Sequence, residues 1–210
     1  MRLRIIDVTK FGVANSIKEA VRVLRLGGAV IYPTDTVYGL GADAENAKAV
    51  IRIYELKHRP NNKYLTIAVC DIKMARRYAI IDGLEEFLGK FLPGAVTFIL
   101  PKTERVIPEI NPRAIGIRIP ESLIVREIAK GLGRAITSTS ANKTSNPPPH
   151  SCFQAVREIP GADLALSCGT MLFRRPSTVV DLTSGRPRLV REGPISFKEI
   201  VGAYKTLIGP

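Results

Sequence analysis

The chain has 210 residues, with 31 Lys+Arg against 19 Asp+Glu, which gives a formal net charge of +12 at pH 7. Apolar residues make up 45% and charged residues 24%, enough apolar surface to offset chain entropy, so intrinsic disorder is excluded. Three widely spaced cysteines, Cys70, Cys152 and Cys168, form no CxxC pair, which argues against a disulfide framework or a cysteine-rich zinc site and for a reducing, cytoplasmic setting. No apolar run approaches the roughly 18 residues a membrane span needs, and the start, MRLRIIDVTK, has no apolar core of a signal peptide. The length suits one domain spanning 1–210 at about 150 residues per domain. The positive excess favours anionic partners: nucleotide, phosphate or nucleic acid.

Along the chain, strand-like and helix-like stretches alternate. Arg2 to Val8 reads as a strand, and Ile17, Ala20, Val21 and Leu24 mark one face of a helix that Gly27-Gly28 stops. Ala29 to Tyr32 is a short apolar strand closed by Pro33. Ala47, Val50, Ile51 and Tyr54 mark a second helix, ending at Lys57-His58-Arg59-Pro60. Tyr64 to Val69 is rich in β-formers, Asp71 caps a short helix, and Leu84 to Phe91 forms another. Ala95 to Leu100 and Ile115 to Ile119 read as strands, Ser122 to Gly131 as an amphipathic helix, and Ala135 to Thr139 as a strand running into Ser140-Ala141-Asn142. Ser151 caps a helix ending near Ile159. Leu164 to Ser167, Thr178 to Leu182 and Arg188 to Arg191 are strands, the last two joined by a Ser184-Gly185 turn, and Ser196 with Glu199 forms a capping box for a last helix. This alternation predicts an α/β protein whose sheet is partly antiparallel. The Pro- and Asn-rich stretch from Lys143 to His150 reads as a functional loop inside one domain.

Familiar catalytic signatures are missing. There is no GxxxxGK[ST], no GxGxxG, no HExxH and no GxSxG. What stands out is a set of polar clusters, most placed just after apolar strands, where open α/β sheets bind ligands. Tyr32-Pro-Thr-Asp-Thr-Val-Tyr-Gly-Leu-Gly41 combines hydroxyls, a carboxylate and glycines, and suits either a ligand loop or a Pro/Gly turn. Lys57, Arg59 and Lys63 offer the cations a phosphate chain needs, or a solvated helix end. Arg118, inside the apolar Ile117-Arg-Ile-Pro120, needs an anionic partner, either a ligand carboxylate or an internal acid. In Thr137-Ser-Thr-Ser-Ala-Asn142, strand alternation sends Ser138, Ser140 and Asn142 to one face. The segment 174–191 holds five arginines and one acid, Asp181. Arg174, Arg186 and Arg188 read as surface charge. None of these clusters supplies a strong general base, which suits chemistry run by positioning and phosphate neutralisation.

Taken in order, YPTDTVYGLGADA (Tyr32 to Ala44), KHRP (Lys57 to Pro60), PGAVTFIL (Pro93 to Leu100), GIRIP (Gly116 to Pro120), STSAN (Ser138 to Asn142) and PSTVVDLT (Pro176 to Thr183) resemble the YrdC-type threonylcarbamoyl-AMP synthase family. The resemblance implies a twisted mixed parallel and antiparallel sheet flanked by helices around a deep basic cavity. It implies a nucleotidyltransferase that forms L-threonylcarbamoyladenylate and pyrophosphate from L-threonine, bicarbonate and ATP. Mg²⁺ would ride on the phosphates, with no prosthetic group and no metal site of the protein's own. A separate threonylcarbamoyl transferase would pass the product to tRNA, and direct RNA binding stays open. By the same resemblance Thr36, Arg118, Ser138 and Ser177 would hold threonine. Lys57, Arg59, Lys63, Ser140, Asn142 and Arg191 would hold ATP, with Lys57 and Arg59 catalytic.

The sequence departs from the family pattern in three places. Ala68 stands where many members have a histidine near threonine. The loop KTSNPPPH replaces an SGxPSPT-like run, and Pro148 removes a hydroxyl there. The chain stops at Pro210, so the extra C-terminal domain of longer members is expected to be missing. Two other readings stay beside the synthase: a module that binds double-stranded RNA or tRNA through its basic surface, and a paralogue of the fold with altered nucleotide chemistry.

Overall fold

The computed structural model describes residues 3–168 and 175–209; Arg2 and Arg174 lie outside them. The chain enters through strand β1 (Arg4–Asp7) and helices α1 (Val8–Phe11) and α2 (Val13–Arg25), followed by β2 (Val30–Tyr32), β3 (Gly39–Gly41), α3 (Ala47–Lys57), β4 (Thr66–Ala68), α4 (Ile72–Ala75) and α5 (Glu85–Phe91). Then come β5 (Val96–Pro101), β6 (Ala114–Arg118), α6 (Leu123–Leu132), β7 (Ile136–Ser140), α7 (Cys152–Glu158), β8 (Leu164–Ser167), β9 (Thr178–Asp181), β10 (Arg188–Arg191) and α8 (Phe197–Leu207). The strands form one sheet in the order β1-β8-β2-β3-β7-β4-β6-β5-β9-β10. β1/β8, β2/β8, β4/β6 and β5/β9 pair parallel; β2/β3, β3/β7, β4/β7, β5/β6 and β9/β10 pair antiparallel. The mixed sheet agrees with the sequence expectation.

Strand alternation divides the core by face. On β2, Val30 and Tyr32 join a cluster with Val21, Leu24, Val125 and Ile128 from α2 and α6, whereas Ile31 turns to the opposite face and the larger cluster around α3, α5, α7 and α8. The same rule applies further along the sheet. Leu65 and Ile67, Val96 and Phe98, and Ile115 and Ile117 point into the larger cluster. Their alternating neighbours, Thr66, Thr97 and Arg118, therefore face the other side, where α2 and α6 cover only the first half of the sheet. The uncovered half leaves room for a cavity.

Several local expectations change. Asp7 ends β1, because its carboxylate caps α1 by accepting from the Thr9 and Lys10 amides. β3 was hidden inside the YPTDTVYGLG run. Its glycines, which the sequence left open to a ligand loop or a turn, pack against Tyr32: a Cβ on Gly39, which also lines the cavity described below, would stand 2.5 Å from the Tyr32 ring, and one on Gly41 2.6 Å from the Thr137 carbonyl and 2.8 Å from that ring. The buried Tyr32 hydroxyl donates to the Thr137 carbonyl, and its burial pushes its pKa up to about 12. The KHRP cluster follows a helix rather than a strand, and exposed His58 takes the left-handed C-cap position at φ 48°. Ser196 caps α8 by position without a side-chain hydrogen bond, and Glu192 rather than Glu199 accepts from the amide of Phe197 at that end.

Candidate active site

A cavity of about 320 Å³ opens on the uncovered face of the sheet. Thr36 enters it from the loop after β2, Arg118 from the end of β6, and Ser138 and Ser140 from β7. Ser177 comes from just before β9, Arg191 from the end of β10, and Arg59 from the turn after α3. The expectation that the clusters gather at C-terminal strand ends holds for Thr36 after β2, Arg118 on β6, Ser140 on β7 and Arg191 on β10, whereas Arg59 follows a helix and Ser177 precedes β9. β5 runs antiparallel to β6 and parallel to β9, so the beginnings of β5 and β9 meet the end of β6 and bring Thr97 and Ser177 beside it. The described lining carries Arg59, Arg118 and Arg191 and no acidic side chain.

Each arginine is aimed by the fold. Buried Arg118 donates from Nη2 to both Asp35 oxygens at 2.8 Å and from Nη1 to Thr36 Oγ1 at 3.0 Å. The internal acid that a buried arginine calls for is thus Asp35, and Arg118 Nε keeps no partner among the described residues. The loop that presents Asp35 and Thr36 is a hydroxyl turn: Thr34 Oγ1 accepts from the amides of Thr36 and Val37 and donates to the Val37 carbonyl at 2.6 Å. Arg59 donates from Nε to the Lys63 carbonyl at 2.6 Å and from Nη2 to the Tyr64 carbonyl at 2.8 Å, which shapes the turn before β4. Arg191 donates from Nη2 to the Ser177 carbonyl at 2.9 Å, and Ser177 Oγ lies 3.0 Å from Thr97 Oγ1. Desolvation, then the nearby Arg118 charge, lowers the Arg191 pKa, and burial lowers that of Arg59. Arg118 has Asp35 as its counter-ion, whereas Arg59 and Arg191 donate to neutral carbonyls, so an anion in the cavity would stabilise these two charges.

Seven of the residues singled out in the sequence meet here: Thr36, Arg59, Arg118, Ser138, Ser140, Ser177 and Arg191. Three do not line the cavity. Lys57 is 1% exposed, and its ammonium donates to the carbonyls of Ser140 and Asn142 behind the wall. Burial first, and the Arg59 charge second, push its pKa down to about 7, with Glu158 opposing. Lys57 therefore braces the end of β7. That brace also corrects the expected row of side chains. β7 ends at Ser140, and Asn142 lies beyond it in a turn where its Nδ2 donates to the Lys143 and Asn146 carbonyls. Lys63 is exposed, and its backbone carbonyl receives Arg59. The 143–150 loop is pinned from outside the cavity: Glu158 accepts from the Lys143 amide and Asn146 Nδ2, and the Lys57 carbonyl accepts from the Thr144 amide. Ala68 is buried beside Arg118 in the β4/β6 register and does not line the cavity. Asp35, Thr66 and Thr97 were not singled out. Thr66 and Thr97 sit in β-rich apolar runs, where a threonine reads as strand propensity.

A family model described as telomere recombination, that of the Sua5/YciO/YrdC family, matches residues 22–193. The chain belongs to the Sua5/YciO/YrdC family. It is 32% identical to the threonylcarbamoyl-AMP synthase of Chromobacterium violaceum, over 80% of this chain and 90% of that protein. Among solved structures, Pyrococcus abyssi Sua5 complexed with L-threonine superposes with a TM-score of 0.86 at 30% identity, covering 99% of this chain and 60% of that one. Escherichia coli YciO superposes with a TM-score of 0.80 at 30% identity, covering 88% of this chain and 92% of that one. The chain thus spans less than two thirds of the Sua5 protein. No helix among the described residues is long and apolar enough to cross a membrane, and no group of three or more His, Cys, Asp or Glu among them is placed to hold a metal ion.

Proposed function

We propose that the chain is an L-threonylcarbamoyladenylate synthase, a nucleotidyltransferase acting as one YrdC-like domain over 1–210. The observation that carries this is the convergence of Arg59, Arg118 and Arg191 with the hydroxyls of Thr36, Ser138, Ser140 and Ser177 on one cavity whose described lining holds no acid. In this reading Arg118, whose Nη1 already reaches Thr36 Oγ1, faces the threonine carboxylate with its positive charge, while Thr36, Ser138 and Ser177 orient the rest of the molecule. Arg59, Arg191 and Ser140 hold the triphosphate. Lys57 and Asn142 act through the turn they brace, and Lys63 sits at the rim. Mg²⁺ arrives on the phosphates of ATP as part of the substrate.

The chemistry fits a site without a strong base. The threonine amine takes up CO₂ from bicarbonate to give a carbamate. A carbamate oxygen then attacks the α-phosphorus and pyrophosphate leaves, so negative charge develops on the phosphoryl oxygens. Fixed guanidinium groups stabilise that charge without reorganising. The product, an activated carbamate, suits a separate transferase that acts on tRNA. Mixing the protein with ATP, Mg²⁺ and bicarbonate should release pyrophosphate only when threonine is added; release that ignores threonine, or none, refutes the proposal.

One second reading has an observation behind it. YciO is as similar to this chain as the synthases are, so a paralogue of the fold with altered nucleotide chemistry is the alternative. It predicts ATP binding without threonine-dependent pyrophosphate release.

A further inference from the structure

The floor of the cavity carries an apolar feature that charge neutralisation does not use. Gly116 lies two residues before Arg118 on the same face of β6. A Cβ there would collide with Thr66 Cγ2 and stand 3.4 Å from Thr97 Cγ2. Two methyl groups, one from β4 and one from β5, therefore close over this glycine. Their hydroxyls are engaged elsewhere: Thr66 Oγ1 donates to the Ser138 carbonyl at 2.5 Å, and Thr97 Oγ1 pairs with Ser177 Oγ at 3.0 Å. A threonine whose hydroxyl is held in this way presents its methyl. Both residues line the cavity together with Val37, Ile99, Val179 and Val190, so its wall contains a seat made of two methyls. Positions two apart on one strand face are roughly 7 Å apart. A small α-amino acid anchored by its carboxylate at Arg118 can therefore rest its side chain on the two methyls that cover Gly116.

We propose that Thr66 and Thr97 are specificity-determining residues whose converging methyl groups seat the side-chain methyl of the amino-acid substrate and so select threonine over serine. This rests on the synthase reading and goes beyond it by assigning the discrimination to two side chains. A serine substrate has no methyl to place on such a seat, and so it forfeits the dispersion attraction that threonine gains there. A missing carbon in an apolar pocket changes kcat/KM by about 10- to 200-fold.

The test uses substitutions that separate methyl from hydroxyl. In the full chain, Thr66→Ser with Thr97→Ser keeps both hydroxyl bonds and deletes only the methyls. Thr66→Val with Thr97→Val keeps the methyls and deletes the hydroxyls. The readout is the ratio of kcat/KM for threonine to that for serine, from amino-acid-dependent pyrophosphate release, with thermal unfolding as the check on folding. The serine double variant should lower that ratio by about tenfold or more, and the valine double variant should leave it unchanged while lowering both rates together. If the wild type depends on threonine and the serine variant keeps the wild-type ratio, the inference is overturned and the synthase reading stands. If wild-type release ignores both amino acids, the synthase reading falls and this inference with it.

Discussion

Replacing Arg118 with methionine should separate what this residue does for the fold from what it does for a ligand. Its side chain and that of Asp35 are only 8% and 7% exposed, and Nη2 reaches both carboxylate oxygens at 2.8 Å. Methionine fills much of the volume but leaves Asp35 as a buried, uncompensated charge. Removing one partner of such a pair costs about 3–5 kcal/mol. With a urea slope of about 2 kcal/mol/M, a loss of about 4 kcal/mol lowers the unfolding midpoint by about 2 M. The double variant Arg118→Met with Asp35→Leu removes both charges and should recover most of that loss, because an apolar replacement of a whole buried pair is close to neutral. Neither variant should bind threonine measurably by calorimetry, since both lack the cation assigned to its carboxylate. Urea unfolding of the wild type, both single variants and the double gives the coupling directly. A loss under about 1 kcal/mol in Arg118→Met, the value of an exposed pair, or a double variant no more stable than the single, refutes the reasoning about the pair. Wild-type threonine affinity in the double variant refutes the assignment of the carboxylate.

Lys57 gives a pH signature. Its folded pKa, about 7, lies below its ordinary 10.5, so between those values the unfolded chain binds more protons and stability rises with pH. Relative to Lys57→Met, wild-type stability should climb by up to about 1.4 kcal/mol per pH unit between pH 7 and 10, and be flat below pH 6; a difference that stays constant from about pH 6 to pH 9 would mean that the Ser140 and Asn142 carbonyls keep the ammonium charged. Gly41→Ala forces a methyl to within 2.6 Å of the Thr137 carbonyl and against the Tyr32 ring, and should cost about 1–3 kcal/mol in thermal or urea unfolding, whereas Gly89→Ala, which meets nothing within 4 Å, should not destabilise. Arg59→Ala should lower kcat/KM by at least about tenfold, and Arg59→Lys should restore little, because one ammonium cannot hold the Lys63 and Tyr64 carbonyls and face the cavity with a planar fork as well; steady-state pyrophosphate release measures both.

Much of the scaffold was legible from local signals. Periodic apolar residues marked α2, α3 and α6, and Asp71 and Ser151 cap their helices as their side chains suggested, each accepting from an amide three residues on. The failures have local causes too. Ser196 takes the N-cap position without the side-chain bond a capping box needs, and the row ending at Asn142 assumed a strand longer than the one that ends at Ser140, where Lys57 holds the carbonyls of Ser140 and Asn142. Asp35 stood in plain view, yet a sequence cannot say which carboxylate a buried arginine 83 residues away will choose.

The charge of +12 was fixed by the sequence alone, and so was its preference for anions. The ordered motifs likewise fixed the family and a mixed α/β sheet, because each depends on short-range spacing that no packing can alter. Which positives serve a site was decided only by the tertiary structure. It turned Arg59, Arg118 and Arg191 into one cavity, buried Lys57 behind its wall and paired Arg188 with Asp181 on the surface. The reason is the antiparallel step between β6 and β5. It brings the start of one strand beside the end of another, so residues far apart along the chain share one uncovered sheet face, a juxtaposition that no local pattern encodes.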